Sequence, residues 1–176
     1  MTPSETVLYF AYGSNMQTAT FAGRRGIVSR SARAARVDGW QLVFDKPPLL
    51  PVGEGFASIV PDPTASVLGV VYEITPVDME HVDLTEGVLI GNYRRVEVAV
   101  TPLDAPPVTL AGYSLTSDRR DPALRPSDRY MGLLIAGAEE HGLPAEWVAR
   151  LRAVPTRPES AEAVRLRPLL DAALRR

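Results

Sequence analysis

A chain of 176 residues and 19.1 kDa has room for one hydrophobic core, and a domain of this size buries about two-thirds of the surface its unfolded form exposes. Hydrophobic residues at 45% and charged residues at 23% fall within the globular range, and a formal net charge of -2 gives no global attraction to nucleic acid or an anionic membrane. The absence of cysteine excludes disulfides, thiol catalysis and thiolate-held metals, and is compatible with a reducing compartment.

The first six residues, Met1 to Thr6, have neither the basic region nor the apolar stretch of a secretory signal. No segment approaches the roughly 20 apolar residues that span a bilayer, so a cytoplasmic location is expected. Val7 to Ala11 reads as a short, almost wholly apolar strand, buried on both faces. It stops abruptly at Tyr12-Gly13-Ser14-Asn15, where Gly13 allows a tight turn and Ser14 and Asn15 are turn formers. Successive N–H groups in such a turn suit a carboxylate or phosphate. Taken by itself, a strand ending in Gly-Ser-Asn is an ordinary structural turn.

Met16 to Gly23 suggests a short helical turn. Arg24, Arg25, Arg30, Arg33 and Arg36 follow without an intervening acid. Eighteen of the nineteen basic residues are arginine, so this cluster reads as a solvated loop and strand edge rather than a nucleic-acid site. Ala32 to Val37 and Trp40 to Phe44 are expected to be two strands of a hairpin around Asp38-Gly39. The Pro- and Gly-rich run from Asp45 to Gly55 reads as a surface loop forming a rim over a site.

Phe56 to Val60 and Val67 to Ile74 read as strands separated by a turn at Pro61-Asp62-Pro63-Thr64. Thr75-Pro76-Val77-Asp78 carries a hydroxyl cap, a first-turn proline and an acid three residues past the cap, which predicts a helix running to about Val82. Leu84 to Asn92 is then a loop bent at Gly87 and Gly91, and Tyr93 to Thr101 and Val108 to Leu115 supply two more strands. Helical spacing of Met131, Leu134, Ile135 and Ala138 begins a helix near Ser127 that Gly142 ends. Pro144 begins another helix that buries Trp147, Val148 and Leu151. Leu166, Leu169, Leu170, Ala173 and Leu174 suggest an amphipathic terminal helix interrupted near Pro168, which packs on the domain or forms a homodimer interface. Strands first and helices mostly last argue for an α+β domain, with a core over about 7–154 and a helical extension over 155–176.

The Tyr12-Gly13-Ser14-Asn15 turn, the run Glu86-Gly87-Val88-Leu89-Ile90-Gly91-Asn92-Tyr93, and then Pro126-Ser127-Asp128-Arg129-Tyr130 occur in an order that resembles the gamma-glutamylcyclotransferase family. The resemblance covers Tyr9 to about Val154 and implies a small mixed-sheet β-barrel flanked by helices. It also implies a cofactor-free, metal-free reaction on a small gamma-glutamyl compound, in which the α-amine attacks the gamma-carbonyl and 5-oxoproline leaves. Glu86 matches the family's general base and acid. A glutamate in water, with a pKa near 4.3, is a poor base for an ammonium, so a partly buried Glu86 with raised proton affinity is expected.

Tyr9, Phe10, Ala11, Tyr12, Gly13 and Ser14, with Asn15, match the substrate-binding segment, and Tyr93 and Tyr130 match two tyrosines that wall the pocket and offer hydroxyls. Asp83 matches a family aspartate whose expected task is to accept hydrogen bonds in the loop. Asn15 favours the branch acting on gamma-glutamyl amino acids over the glutathione-specific one. Where some members have a further tyrosine, this chain has Ser117 or Asp118, which leaves the leaving group open. The alternative is a binding module of the same fold without turnover. Ser14 lacks a Gly-x-Ser-x-Gly context, and His81 and His141 have no triad or zinc spacing, so hydrolase and metal chemistry have no sequence support.

Overall fold

The computed structural model describes residues 5–104 and 106–174. Five strands, β1 (Val7–Ala11), β2 (Ser31–Lys46), β3 (Phe56–Ile74), β4 (Arg94–Pro102) and β5 (Leu110–Thr116), close into a barrel in the order β1-β3-β2-β4-β5. All the pairings are antiparallel except β5 on β1, which meet in parallel at Tyr9 and Tyr113 and close the ring. Closure removes the open edges that a five-stranded sheet would otherwise expose. The helices α1 (Pro76–Thr85), α2 (Asp128–Glu140), α3 (Ala145–Arg152) and α4 (Ala161–Leu174) flank it, so the α+β barrel expected from the resemblance is the fold observed. Among the described residues no helix is long and apolar enough to cross a membrane.

The expected hairpin at Asp38-Gly39 is not formed. Both halves of β2 pair with the same partner, Ala32–Asp38 against Ser66–Tyr72 and Trp40–Lys46 against Phe56–Pro61, so the chain bends at Gly39 (φ 83°) and continues. The same register shift absorbs the turn expected at Pro61-Asp62-Pro63-Thr64. There β3 bulges outwards, with the Asp62 carboxylate accepting from the Thr64 amide at 2.9 Å and hydroxyl at 2.7 Å. Proline is tolerated at such a bulge because its missing donor interrupts no ladder bond there.

Helix α1 starts as its sequence dictates, with the Thr75 hydroxyl accepting from the Asp78 amide at 3.1 Å, but it runs past Val82 to Thr85 and hands the chain to Glu86. Thr75→Ala removes this cap and is expected to cost about 1 kcal/mol of stability, measurable by urea denaturation. Helix α2 is capped by Ser127 and ends before Gly142 (φ 66°), and α3 buries Trp147, Val148 and Leu151. In α4 the expected interruption at Pro168 does not occur; the helix continues through it. Nor does α4 bury the expected stripe, since Leu169 is 68% exposed; its inward side is the Ala163, Arg167 and Leu170 face.

Candidate active site

A cavity of about 280 Å³ opens at one end of the barrel. Strand β1 and the turn after it supply Tyr9, Tyr12, Gly13, Ser14 and Asn15, the end of α1 supplies Glu86, the start of β4 supplies Tyr93, and α2 supplies Tyr130. The loop between β2 and β3 contributes Pro48, Leu49, Leu50, Val52 and Glu54, as a rim should. Phe10 and Ala11 are also brought close in sequence but not into the cavity; both are buried in the hydrophobic core and neither lines the wall.

The 3₁₀ turn Ser14–Met16 is fixed by Tyr72 of β3, whose hydroxyl lies 2.9 Å from the Asn15 carbonyl and 3.0 Å from that of Met16. Tyr72 stacks on Phe21 at 4.2 Å, and Phe21 on Tyr9 at 5.8 Å, so an aromatic column stands behind the turn. Gly13 is not in the left-handed region (φ -107°). It is small because a Cβ there would come within 3.3 Å of the Tyr130 hydroxyl. Gly87 does take left-handed angles (φ 70°), and it turns the chain sharply just past Glu86.

Asn15 joins the two distant stretches. Its Nδ2 donates to the Tyr9 hydroxyl and to Glu86 Oε1, each at 3.0 Å, while its Oδ1 accepts from Arg25 Nε at 2.7 Å. Arg25 Nη2 pairs with the same Glu86 oxygen at 2.6 Å, and Nη1 reaches the Thr85 hydroxyl at 2.5 Å. Glu86 is partly buried, as expected, but the sequence reading had left Arg25 in solvent. Arg25 is 6% exposed and is the counter-charge of the site. Asn15 donates to Oε1 and Arg25 pairs with it, whereas Oε2 has no hydrogen-bond partner among the described residues. One carboxylate oxygen is anchored and the other is left for a ligand.

The tyrosines divide by what their hydroxyls already do. Tyr93 donates to the Ala57 carbonyl at 2.8 Å and Tyr12 to the Leu115 carbonyl at 2.5 Å, so their protons are committed to backbone. Tyr9 accepts from Asn15, and Tyr130 accepts from the Ala57 amide at 3.2 Å; among the described residues neither proton has an acceptor. Burial is the main cause that pushes all four phenols upwards, and the Glu86 charge adds to it. They remain neutral hydroxyls, and Tyr9 and Tyr130 are the two free to donate.

Among the polar groups of the cavity wall that sequence reasoning missed are Arg25, Lys46 and Asn92. Asn92 donates to the Glu86 carbonyl at 2.9 Å and accepts from Lys46 Nζ, which also sits 4.5 Å over the Tyr93 ring. Desolvation, with the Arg119 charge adding to it, lowers Lys46 to about 8. At the outer mouth Arg24 pairs with Asp171 and so ties α4 to the opening, while Arg167 of α4 pairs with Glu159 in the segment just before that helix. Asp83 pairs with Arg95 outside the cavity, in agreement with a structural task, and Ser117 donates to the Asn92 carbonyl at 2.7 Å. His81 lies on α1 with Nε2 3.0 Å from the Arg25 carbonyl, and His141 ends α2; neither lines the cavity.

A closed mixed barrel with a half-anchored glutamate facing a glycine-centred turn defines the class of protein, and comparison with known proteins places it. The sequence pattern of the AIG2-like family matches residues 66–151. Gamma-glutamylcyclotransferase of Bos taurus is 32% identical over 158 residues, covering 85% of this chain and 79% of that one, and the Homo sapiens protein of the same name is 32% identical with the same coverage. A solved structure titled gamma-glutamyl cyclotransferase superposes with a TM-score of 0.75 at 27% identity, covering 96% of this chain and 99% of that one. The chain belongs to the gamma-glutamylcyclotransferase family.

Proposed function

We propose that this chain is a gamma-glutamylcyclotransferase that converts a gamma-glutamyl amino acid or amine into 5-oxoproline and the free amine, with Glu86 as the proton carrier. The observation that carries the reading is the divided state of the Glu86 carboxylate. Oε1 is held by Asn15 and Arg25, while Oε2 is without a hydrogen-bond partner among the described residues at the wall of a cavity large enough for a small molecule.

In this reaction Oε2 takes a proton from the substrate α-ammonium, and the freed amine attacks its own gamma-carbonyl carbon. The C–N bond of the ring forms as the carbonyl electrons move to oxygen. The protonated hydroxyls of Tyr9 and Tyr130 are free to donate to that oxyanion. On collapse, the bond to the leaving nitrogen breaks as Glu86 returns its proton there; the ring nitrogen, which still carries one proton too many, passes it through the regenerated Glu86 carboxylate to the released amine, which leaves as ammonium, so protons balance and water is not consumed. Holding the gamma-glutamyl chain curled supplies much of the rate, because a well-oriented intramolecular attack is worth roughly 7–11 kcal/mol. The turn from Gly13 to Asn15 contributes backbone amides at the same wall. A small-molecule substrate and a cytoplasmic location form part of this reading.

The test is product analysis with purified protein and a panel of gamma-glutamyl amino acids, gamma-glutamyl amines and glutathione. Equimolar 5-oxoproline and released amine are the expected products. Free glutamate in place of 5-oxoproline would mean hydrolysis and overturn the intramolecular step. Binding with no product from any substrate would instead make the chain a binding module.

A further inference from the structure

We propose that Lys46, which pairs with no carboxylate among the described residues, forms a subsite for a carboxylate of the substrate. Lys46 is the only lysine in a chain with eighteen arginines, and it lies at the end of β2 in the cavity wall. Its residue exposure is 2%, so the ammonium has been taken out of water. An ammonium has three donors, and Lys46 spends one on Asn92 Oδ1; no carboxylate pairs with it among the described residues. The same Asn92 oxygen also accepts from Arg119 Nη1 at 3.1 Å. Two cations therefore converge on one amide oxygen.

The acids nearest to it in sequence and in charge already pair with arginine side chains. Asp45, next in sequence, holds Arg120 through both oxygens at 2.5 Å, and Glu86 is paired with Arg25 at 2.6 Å. Arg119 cannot swing away to relieve the excess, since its other donors hold the carbonyls of Pro47 and Pro48 at 3.4 and 3.2 Å. A buried cation without a counter-charge is costly, and a fold retains one where a ligand supplies the missing charge. The groups around Lys46 that titrate or carry charge are Arg119 beyond β5, Glu86 beyond α1, Tyr93 at the start of β4 and Asp45 on β2.

The inference rests on the gamma-glutamyl reading, because it is that substrate class which brings two carboxylates: the α-carboxylate of the glutamyl group and that of a leaving amino acid. A carboxylate accepts the two free N–H donors of Nζ and leaves the bond to Asn92 in place.

The test compares wild type with Lys46→Met on gamma-glutamyl-alanine and on gamma-glutamyl-ethylamine, which lacks only the leaving-group carboxylate. Loss of a charge-assisted hydrogen bond is expected to raise KM by roughly ten- to a hundredfold with a much smaller change in kcat. A rise for both substrates assigns the α-carboxylate, and a rise for gamma-glutamyl-alanine alone assigns the leaving amino acid. An unchanged KM for both, or a loss confined to kcat, overturns the subsite. A second measurement needs no turnover and separates failure of this proposal from failure of the reaction. Wild-type protein carrying lysine labelled with carbon-13 at Cε shows one lysine resonance, which is titrated with and without saturating 5-oxoproline or L-alanine. Either carboxylate, once bound beside the ammonium, raises the titration midpoint above its starting value near 8; a midpoint unmoved by both overturns the subsite.

Discussion

Glu86→Gln is expected to lower kcat for 5-oxoproline formation at least about a hundredfold, the range for loss of a general acid and base. Glutamine keeps the shape of the side chain and an oxygen for Asn15 and Arg25, which now meet Oε1 at 3.0 and 2.6 Å. What it loses is the ability of the outer atom to take and return a proton. Arg25, at 6% exposure, also loses its counter-charge while keeping neutral acceptors on Asn15 and Thr85. A stability loss on the order of 1–3 kcal/mol is therefore expected as well, too little to unfold a domain of ordinary stability. The two effects separate cleanly. Thr75→Ala destabilises the same helix without touching the carboxylate, so at matched stability it should retain turnover that Glu86→Gln lacks. If the glutamine variant stays within tenfold of wild type, the proton passes through another group and Glu86 is a structural acid.

The parts of this site that a sequence reveals are the parts written in local chemistry. Tyr12 to Asn15 announces a turn at a strand end, Thr75 to Asp78 a helix start, and Gly87 a bend in the chain, and each is formed. The pairing of that turn with Glu86, 71 positions away from Asn15, came from the family resemblance and not from any local signal, and the hydrogen bond between them is present. Where reading failed, local chemistry had two tertiary outcomes. Asp38-Gly39 is equally a hairpin turn and a bulge, and only the decision of both flanks to pair with β3 selects the bulge. Arg25 looked like one of five solvated arginines, because nothing in its neighbours shows that the chain curls it under Asn15. Phe10 and Ala11 belong to the same apolar run as Tyr9, yet being in that run does not decide which side chain ends in the cavity and which in the core. Lys46 did carry a signal, as the single lysine among nineteen basic residues, but a composition count becomes informative only once the residue is seen to be buried.

Gly137→Ala is the second large effect expected, and its sign runs against helix propensity. Gly137 lies within α2, where alanine normally stabilises by about 1 kcal/mol over glycine. A Cβ at this position would come within 2.6 Å of the Gln17 amide nitrogen, 2.7 Å of the Met16 carbonyl carbon and 2.8 Å of the Met16 Cβ. Two of those atoms are backbone, so no rotamer change relieves the contact; either α2 lifts away or the turn from Ser14 to Met16 is pushed aside. That turn carries Asn15, which sets the position of Glu86, and it is pinned from the other side by Tyr72. We expect a net loss of about 1–3 kcal/mol, typical of overpacking, together with a fall in kcat/KM of at least about tenfold, since small misplacements of catalytic groups are expensive. Gly132→Ala supplies the control within the same helix. Nothing lies within 4 Å of its Cβ position, so it should gain about 0.5–1 kcal/mol and leave kcat/KM unchanged. Melting curves and kinetics on the pair decide the matter: if Gly137→Ala is also stabilised and fully active, the close seat of α2 on the turn is not what holds Asn15 in place.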